Sequence, residues 1–152
     1  MSNTVEYIVG ISDSHKLEAV RELRHAVLDP AKVEATELDV SQKDQDPINI
    51  VAVAFMGETA VSTARLDKID EKTYLVRKMA TADSARQQGI GGRVLELAEE
   101  EAVKRGAQTI ELDSREGAIS FYEGHGYVLT GEEVVHNDGI PNFSMIKRVT
   151  DG

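Results

Sequence analysis

A chain of 152 residues without a single cysteine holds no disulfide framework, no thiolate metal site and no cysteine nucleophile. Its net charge of −10 argues against nucleic-acid or anionic-membrane partners, which are bound by lysines and arginines that neutralise phosphates. With 41 % hydrophobic and 29 % charged residues the balance is that of a globular protein able to bury one continuous core, so residues 1–152 are expected to form a single domain.

In chain order, Val5 to Val9 reads as a first strand. Ser14 to Leu28 repeats apolar residues at Leu17, Val20, Val27 and Leu28, a helical period, with Asp13 or Ser14 as cap and Pro30 as stop. Ala31 to Pro47 is polar, acidic and aperiodic. It is expected to be a loop with a helical turn, and a wall of a binding site. Ile48 to Phe55, Thr59 to Leu66 and Thr73 to Thr81 read as three strands of an antiparallel meander, joined by turns at Met56-Gly57-Glu58 and Asp70-Glu71-Lys72.

A helix from Gly91 follows, with Val94, Leu95, Ala98, Ala102 and Val103 on its inner face and Gly106 at its end. Its Glu99-Glu100-Glu101 run reads as a solvated face. Thr109 to Leu112 completes a βαβ crossover begun at Thr73. A short helix over Ala118 to Gly124, strands Tyr127 to Thr130 and Phe143 to Arg148, and a turn at Asn137-Asp138-Gly139 close the chain. The sum is an α+β domain built on one mixed sheet.

The most informative stretch is Arg86-Gln87-Gln88-Gly89-Ile90-Gly91-Gly92, a glycine-rich turn between a strand and a helix. N–H groups at a helix start lack intrahelical partners, and the aligned peptide dipoles make that end partly positive. Glycines let a phosphate approach those N–H groups, so a phosphorylated ligand is expected. A dinucleotide fingerprint fails because Val94 stands where the third glycine belongs, and a Walker A loop fails for want of a Gly-Lys pair.

What stands, Arg86, Gly89 and Gly91 in R-x-x-G-x-G, resembles the pyrophosphate motif of the GNAT N-acetyltransferases. Ala118 to Tyr127 (AISFYEGHGY) resembles the A-x-x-F-Y-E stretch of the same superfamily. Asp138-Gly139-Ile140-Pro141-Asn142 with Met145 is similar to the D-G-I-P-H ending of one bacterial branch, Asn142 replacing the His. The resemblance is strong over Val76 to Lys147. It implies a GNAT-like fold, acetyl-CoA as cosubstrate, and acetyl transfer to an amine of a small molecule or peptide.

On the same resemblance, Arg86, Gln87, Gln88, Gly89, Ile90, Gly91 and Gly92 would hold the pyrophosphate. Met79, Ala80 and Thr81 would pair with pantetheine and offer an N–H to the carbonyl oxygen. Tyr122 would protonate the leaving thiolate, or else, read from the residues alone, be an aromatic of a short amphipathic helix with Phe121 taking the core side. Arg115 stands three residues before Ala118, where it would reach the cofactor amide or a phosphate, or else be a surface turn residue.

Many relatives carry a Glu where this chain has Arg77, and a guanidinium cannot accept a proton. Asp113, at the end of its strand, would be the nearest substitute base or else a loop or cap residue, a water chain or a partly neutral acceptor being the alternatives. The missing Glu also fits an acyl-CoA sensor with little or no turnover, while a Rossmann or P-loop module is disfavoured by the failed spacings. Arg77, Lys78, Arg86 and Arg93 would offset repulsion of a polyanionic CoA, and the acidic remainder would steer in a cationic acceptor.

The four histidines (His15, His25, His125, His136) have neither i,i+4 pairing nor Cys companions, so no metal is expected; His25 and His125 read as helix-surface residues. Met1 to Glu6 lacks the features of a signal peptide, and no apolar run approaches the ~20 residues that span a bilayer, so a cytoplasmic location is expected. Edge strands near the C-terminus would allow a homodimer.

Overall fold

The computed structural model describes residues 4–28, 42–135 and 139–150. Much of the expected loop over Ala31 to Pro47, and Asn137 and Asp138 of the last turn, lie outside the described residues. Among the described residues eight strands form one sheet: β1 Glu6–Val9, β2 Ile50–Met56, β3 Thr59–Asp70, β4 Thr73–Val76, β5 Ala80–Thr81, β6 Thr109–Ser114, β7 Val128–Val135 and β8 Pro141–Arg148. The order is β1-β2-β3-β4-β6-β8-β7, with β5 also on β3. Every pairing is antiparallel except β4 with β6.

Helix α1 (Ser14–Val27) is capped by Asp13, whose carboxylate accepts the N–H of His15 at 2.7 Å. Helix α2 (Ile90–Lys104) connects β5 to β6, and α3 (Ile119–Glu123) precedes β7. Strand β2 shows why both faces of the sheet need a helix. Side chains alternate along a strand, and here both sets are apolar. Ile50, Ala52 and Ala54 join Ile90, Val94, Leu95, Ala98 and Ala102 of α2, while Val51, Val53 and Phe55 join Val20 and Leu23 of α1.

α2 ends in a Schellman motif: Gly106 (φ +100°) donates to Val103 and Ala107 to Ala102. No helix among the described residues is long and apolar enough to cross a membrane.

Several boundaries differ from the sequence expectation. β3 runs four residues past Leu66, and β6 extends past Leu112 to Ser114. β7 and β8 are each longer than expected, because Glu133 to Val135 pairs with Pro141 to Phe143 after an irregularity around Gly131. The expected inner-face Val103 is exposed, whereas Glu99, expected in solvent, is 6 % exposed. One carboxylate oxygen of Glu99 accepts the Tyr127 hydroxyl at 2.7 Å and the other accepts the Lys147 ammonium at 2.8 Å. These cross-element partners, 28 and 48 residues away, explain the burial, and a helical period cannot display them.

A buried ionic cluster locks α1 and the helical turn at residues 42–45 to β3. Asp44 accepts from Arg24 through both oxygens (2.7 and 3.1 Å) and from Arg65 at 3.3 Å, while Arg65 also holds Asp67 at 2.7 Å. Burial lowers the pKa of Arg24 despite the Asp44 carboxylate beside it. Removing one partner of a buried pair leaves an uncompensated charge, typically costing ~3–5 kcal/mol. Asp44→Ala should therefore destabilise by about that much in urea unfolding, and Asp67→Ala by clearly less, because Arg65 keeps Asp44. Equal losses would contradict this assignment.

Candidate functional site

The site begins with a mismatch in strand length. β4 pairs with β3 at Val76↔Leu66, and β5 resumes on the same strand at Ala80↔Thr63. Four steps on one side oppose three on the other, so one residue is extra. Arg77 N–H still donates to Arg65 O at 2.8 Å, and the chain then bulges through Lys78 and Met79. The expected continuous strand over Thr73 to Thr81 is thus two strands flanking a bulge.

On its other edge β4 matches β6 only at Thr73↔Thr109, Tyr74↔Ile110 and Leu75↔Glu111. Beyond that point the two strands part, while β6 stays on β8 through Leu112, Asp113 and Ser114. A cleft of about 370 Å³ opens between them. Val76 to Met79 form one wall, Leu112 to Arg115 the other, with Tyr122, Ala118 and Asn142 from the C-terminal part and Val27 and Leu28 from the end of α1.

Tyr122 lies in this cleft, packed against the core beside the Tyr127 ring (centroids 5.8 Å, near perpendicular). Burial pushes its phenol up to about 12 from the ordinary 10.0, so the hydroxyl keeps its proton at neutral pH. Phe121, expected on the core side, is the exposed member of the pair; the helical turn directs Tyr122 inward instead. Burial and the neighbouring Glu99 carboxylate likewise raise the Tyr127 phenol. Asp113 faces the cleft from β6 and accepts the Ser144 hydroxyl at 2.9 Å. Arg77 is exposed along the same cleft, and Arg115 lines the opposite wall.

The glycine turn lies beyond β5. A 3-10 turn, Asp83–Ala85, leads to Arg86, then Gln87 and Gly89 take left-handed conformations (φ +64° and +76°). Gly89 is the N-cap of α2, and no side chain caps the helix there. Arg86 spans the turn, its Nε donating to Thr81 O at 3.2 Å and its Nη1 pairing with Asp83 at 3.2 Å. Gln88 donates to Ser84 O at 2.7 Å.

The three glycines answer different demands. Gly89 supplies the left-handed cap, where a side chain would be strained. A Cβ on Gly91 would meet Thr81 Oγ1 at 2.9 Å, and one on Gly92 would meet the His125 ring at 2.6 Å. His125, expected on a helix surface, sits in the turn after α3 with its ring on Gly92 and against Phe121 (4.8 Å). No residue from Arg86 to Gly92 lines the cleft, so the described site has two parts joined by Met79, Ala80 and Thr81.

Sequence reasoning missed Val27 and Leu28 as cleft residues and gave Lys78 only a share in offsetting the charge of CoA. It noticed Asn142 only as a motif substitution, whereas Asn142 is buried, lines the cleft and donates to Ile140 O at 3.2 Å. The apolar end of the Ser14 to Leu28 period was a usable signal for the first two.

The acetyltransferase (GNAT) domain family matches residues 11–149. The chain belongs to the GNAT acetyltransferase family. It is similar to the uncharacterized N-acetyltransferase YjcF of Bacillus subtilis (strain 168), 30 % identical over 111 residues that make up 73 % of this chain and 76 % of YjcF. A Lactobacillus plantarum protein provisionally assigned as an N-acetyltransferase superposes with TM-score 0.78 at 28 % identity, over 97 % of this chain and 100 % of its own. An aminoglycoside 6'-N-acetyltransferase complexed with coenzyme A shares the fold with TM-score 0.80 at 18 % identity, over 95 % and 98 % of the two chains. The mixed sheet with flanking helices is the GNAT fold, and the chain is an N-acetyltransferase of this family.

Gly91 gives a test of the turn. Gly→Ala inside a helix ordinarily stabilises by roughly 0.5–1 kcal/mol. Here the new methyl meets a short side chain already bonded to Ser62 at 2.9 Å. Gly91→Ala should therefore lower stability by about 1–3 kcal/mol, and Thr81→Ala in the same chain should recover most of that loss. A stabilised single variant in thermal unfolding would refute the contact.

Proposed function

We propose that this acetyltransferase carries an acetyl group from acetyl-CoA to the amine of a small molecule or an exposed peptide amine, by direct attack of nitrogen on the thioester. The observation that carries the reading is the parting of β4 from β6, which brings the bulged backbone at Met79 and the protonated phenol of Tyr122 to one cleft.

In this reading the N–H groups at the start of α2, with Arg86, Gln87, Gln88, Gly89, Ile90, Gly91 and Gly92, hold the pyrophosphate. Met79, Ala80 and Thr81 hydrogen-bond the pantetheine arm, and an N–H of this stretch faces the thioester carbonyl as negative charge develops. The acceptor gives up its ammonium proton to Asp113 or to water and attacks as a neutral amine. The C–N bond forms, the C–S bond breaks, and Tyr122 hands its proton to the departing thiolate. The proton shed by the new amide restores the phenol. Ser144 orients Asp113 from the adjacent strand.

Cosubstrate binding is testable without knowing the acceptor. Acetyl-CoA at 100 times its Kd should add about 2.7 kcal/mol to stability, and Gly89→Val should abolish the resulting Tm shift. Arg86→Ala should weaken CoA binding while leaving pantetheine binding nearly unchanged. An unshifted wild-type Tm in saturating acetyl-CoA would overturn the reading.

The chemistry is tested at Tyr122. Tyr122→Phe should lower kcat by about 10²-fold, the low end for positioned acid catalysis, with acetyl-CoA affinity within a few-fold. Because the phenol titrates near 12, wild-type kcat should show no fall from its ionisation as pH rises through 10. An alkaline limb below pH 10 that vanishes in Tyr122→Phe would contradict the assignment. Thiol release from acetyl-CoA with no amine-dependent component would favour a sensor over an enzyme.

A further inference from the structure

The described lining residues of the cleft carry a charge opposite to that of the protein as a whole, and Lys78 and Arg115 keep contacts of their own. The chain has a net charge of −10. Yet Arg77 and Lys78 on one wall and Arg115 on the other bring three cations to the cleft, and Asp113 is the one carboxylate among its described lining residues. That carboxylate is already an acceptor for Ser144.

An offset of CoA's charge by Arg77 and Lys78 acts at long range and needs no contact, so the cosubstrate leaves these cations a second role. Its thioester and pantetheine portions are uncharged, and its pyrophosphate belongs at the glycine turn, which contributes no residue to the cleft. Long-range attraction of a cationic acceptor by the acidic surface is screened beyond about 8 Å at physiological salt. Contact with Arg77, Lys78 and Arg115 is not. A polyamine or aminoglycoside would meet like charge on both walls.

From this juxtaposition of Arg77 and Lys78 with Arg115 we propose that the acceptor amine carries an anionic oxygen group, a carboxylate or a phosphate, which the cationic walls hold while the amine faces the thioester. The proposal rests on the transferase reading above and narrows its substrate class. Guanidinium groups suit this task because their donors match both oxygens of a carboxylate or phosphate. The same cations disfavour a protonated nitrogen beside them. They thereby help to generate the neutral nucleophile in a chain that has Arg77 where a carboxylate base would otherwise stand.

The experiment is CoA thiol release from acetyl-CoA with matched acceptors: β-alanine against its amide, phosphoethanolamine against ethanolamine, and putrescine as the dication. Rates are compared at equal concentration of unprotonated amine. Charge-assisted hydrogen bonds of this kind correspond to a preference of about 10- to 100-fold in kcat/KM for the anionic member of a pair, weakening as salt is added. The β-alanine and phosphoethanolamine arms separate carboxylate from phosphate.

Arg77→Gln should bring the ratio toward one while the Tm shift with acetyl-CoA persists, which shows that the fold and cosubstrate site are intact, and Arg115→Gln should do so at saturating acetyl-CoA. Faster turnover of putrescine or of the neutral members, or a ratio that survives both substitutions, would overturn the proposal and leave the transferase reading standing. Absence of turnover with every amine, in a chain that binds acetyl-CoA, would overturn the transferase reading and this inference with it.

Discussion

The site depends on one parallel pairing in an otherwise antiparallel sheet. β4 and β6 match for three residue pairs and no further, because β4 gives way to the bulge at Arg77 to Met79 while β6 remains bound to β8. Had β4 continued straight, its ladder with β6 would have closed over the space that is now the cleft. The extra residue turns the backbone toward the opening and returns the chain to β3 at Ala80, which aims it into the glycine turn. Cleft and turn are two consequences of one change of register.

The surrounding structure holds that change in place from both faces of the sheet. On the α1 side, Arg24, Asp44 and Arg65 bury a charge cluster against β3, the strand that faces the bulge. On the α2 side, Gly91 lets the first turn of the helix rest on Thr81, and Thr81 is bonded to Ser62 of β3. Behind the cleft, Glu99 fixes the hydroxyl of Tyr127, whose ring packs edge-on against Tyr122. The Tyr122 phenol is thus backed by a buried ring whose hydroxyl is held by a hydrogen bond.

The parts of this arrangement legible in the sequence are those written in local pattern. Alternation and continuous apolar runs marked β2 and β3, a 3.6-residue period marked both long helices, and Arg86, Gly89 and Gly91 marked the turn. The sheet class, the βαβ crossover and the family follow from these and from Ala118 to Tyr127. What was not legible depends on partners distant in sequence. Asp44 looked like one acid in a polar loop because Arg24 and Arg65 lie 20 and 21 residues away. Glu99 looked like part of a solvated run because Tyr127 and Lys147 come from later strands. Phe121 and Tyr122 are adjacent aromatics on a five-residue helix, too short for its period to say which faces inward. The charge of the cleft was hidden for the same reason, since Arg77 and Arg115, far apart in sequence, face one cleft only because β4 pairs with β6 below it.

The central claim is that the opened strands and the glycine turn form one continuous binding track. A titration of the isotope-labelled protein with coenzyme A, followed through backbone amide resonances, tests it most directly. The account predicts that the largest shifts fall on Met79 to Thr81 and on Gln88 to Gly92, with the ring and amide signals of Tyr122 moving at the same ligand concentration. Shifts centred instead on the shallow groove between α2 and β8, around Glu96, Glu100 and Arg148, would contradict it.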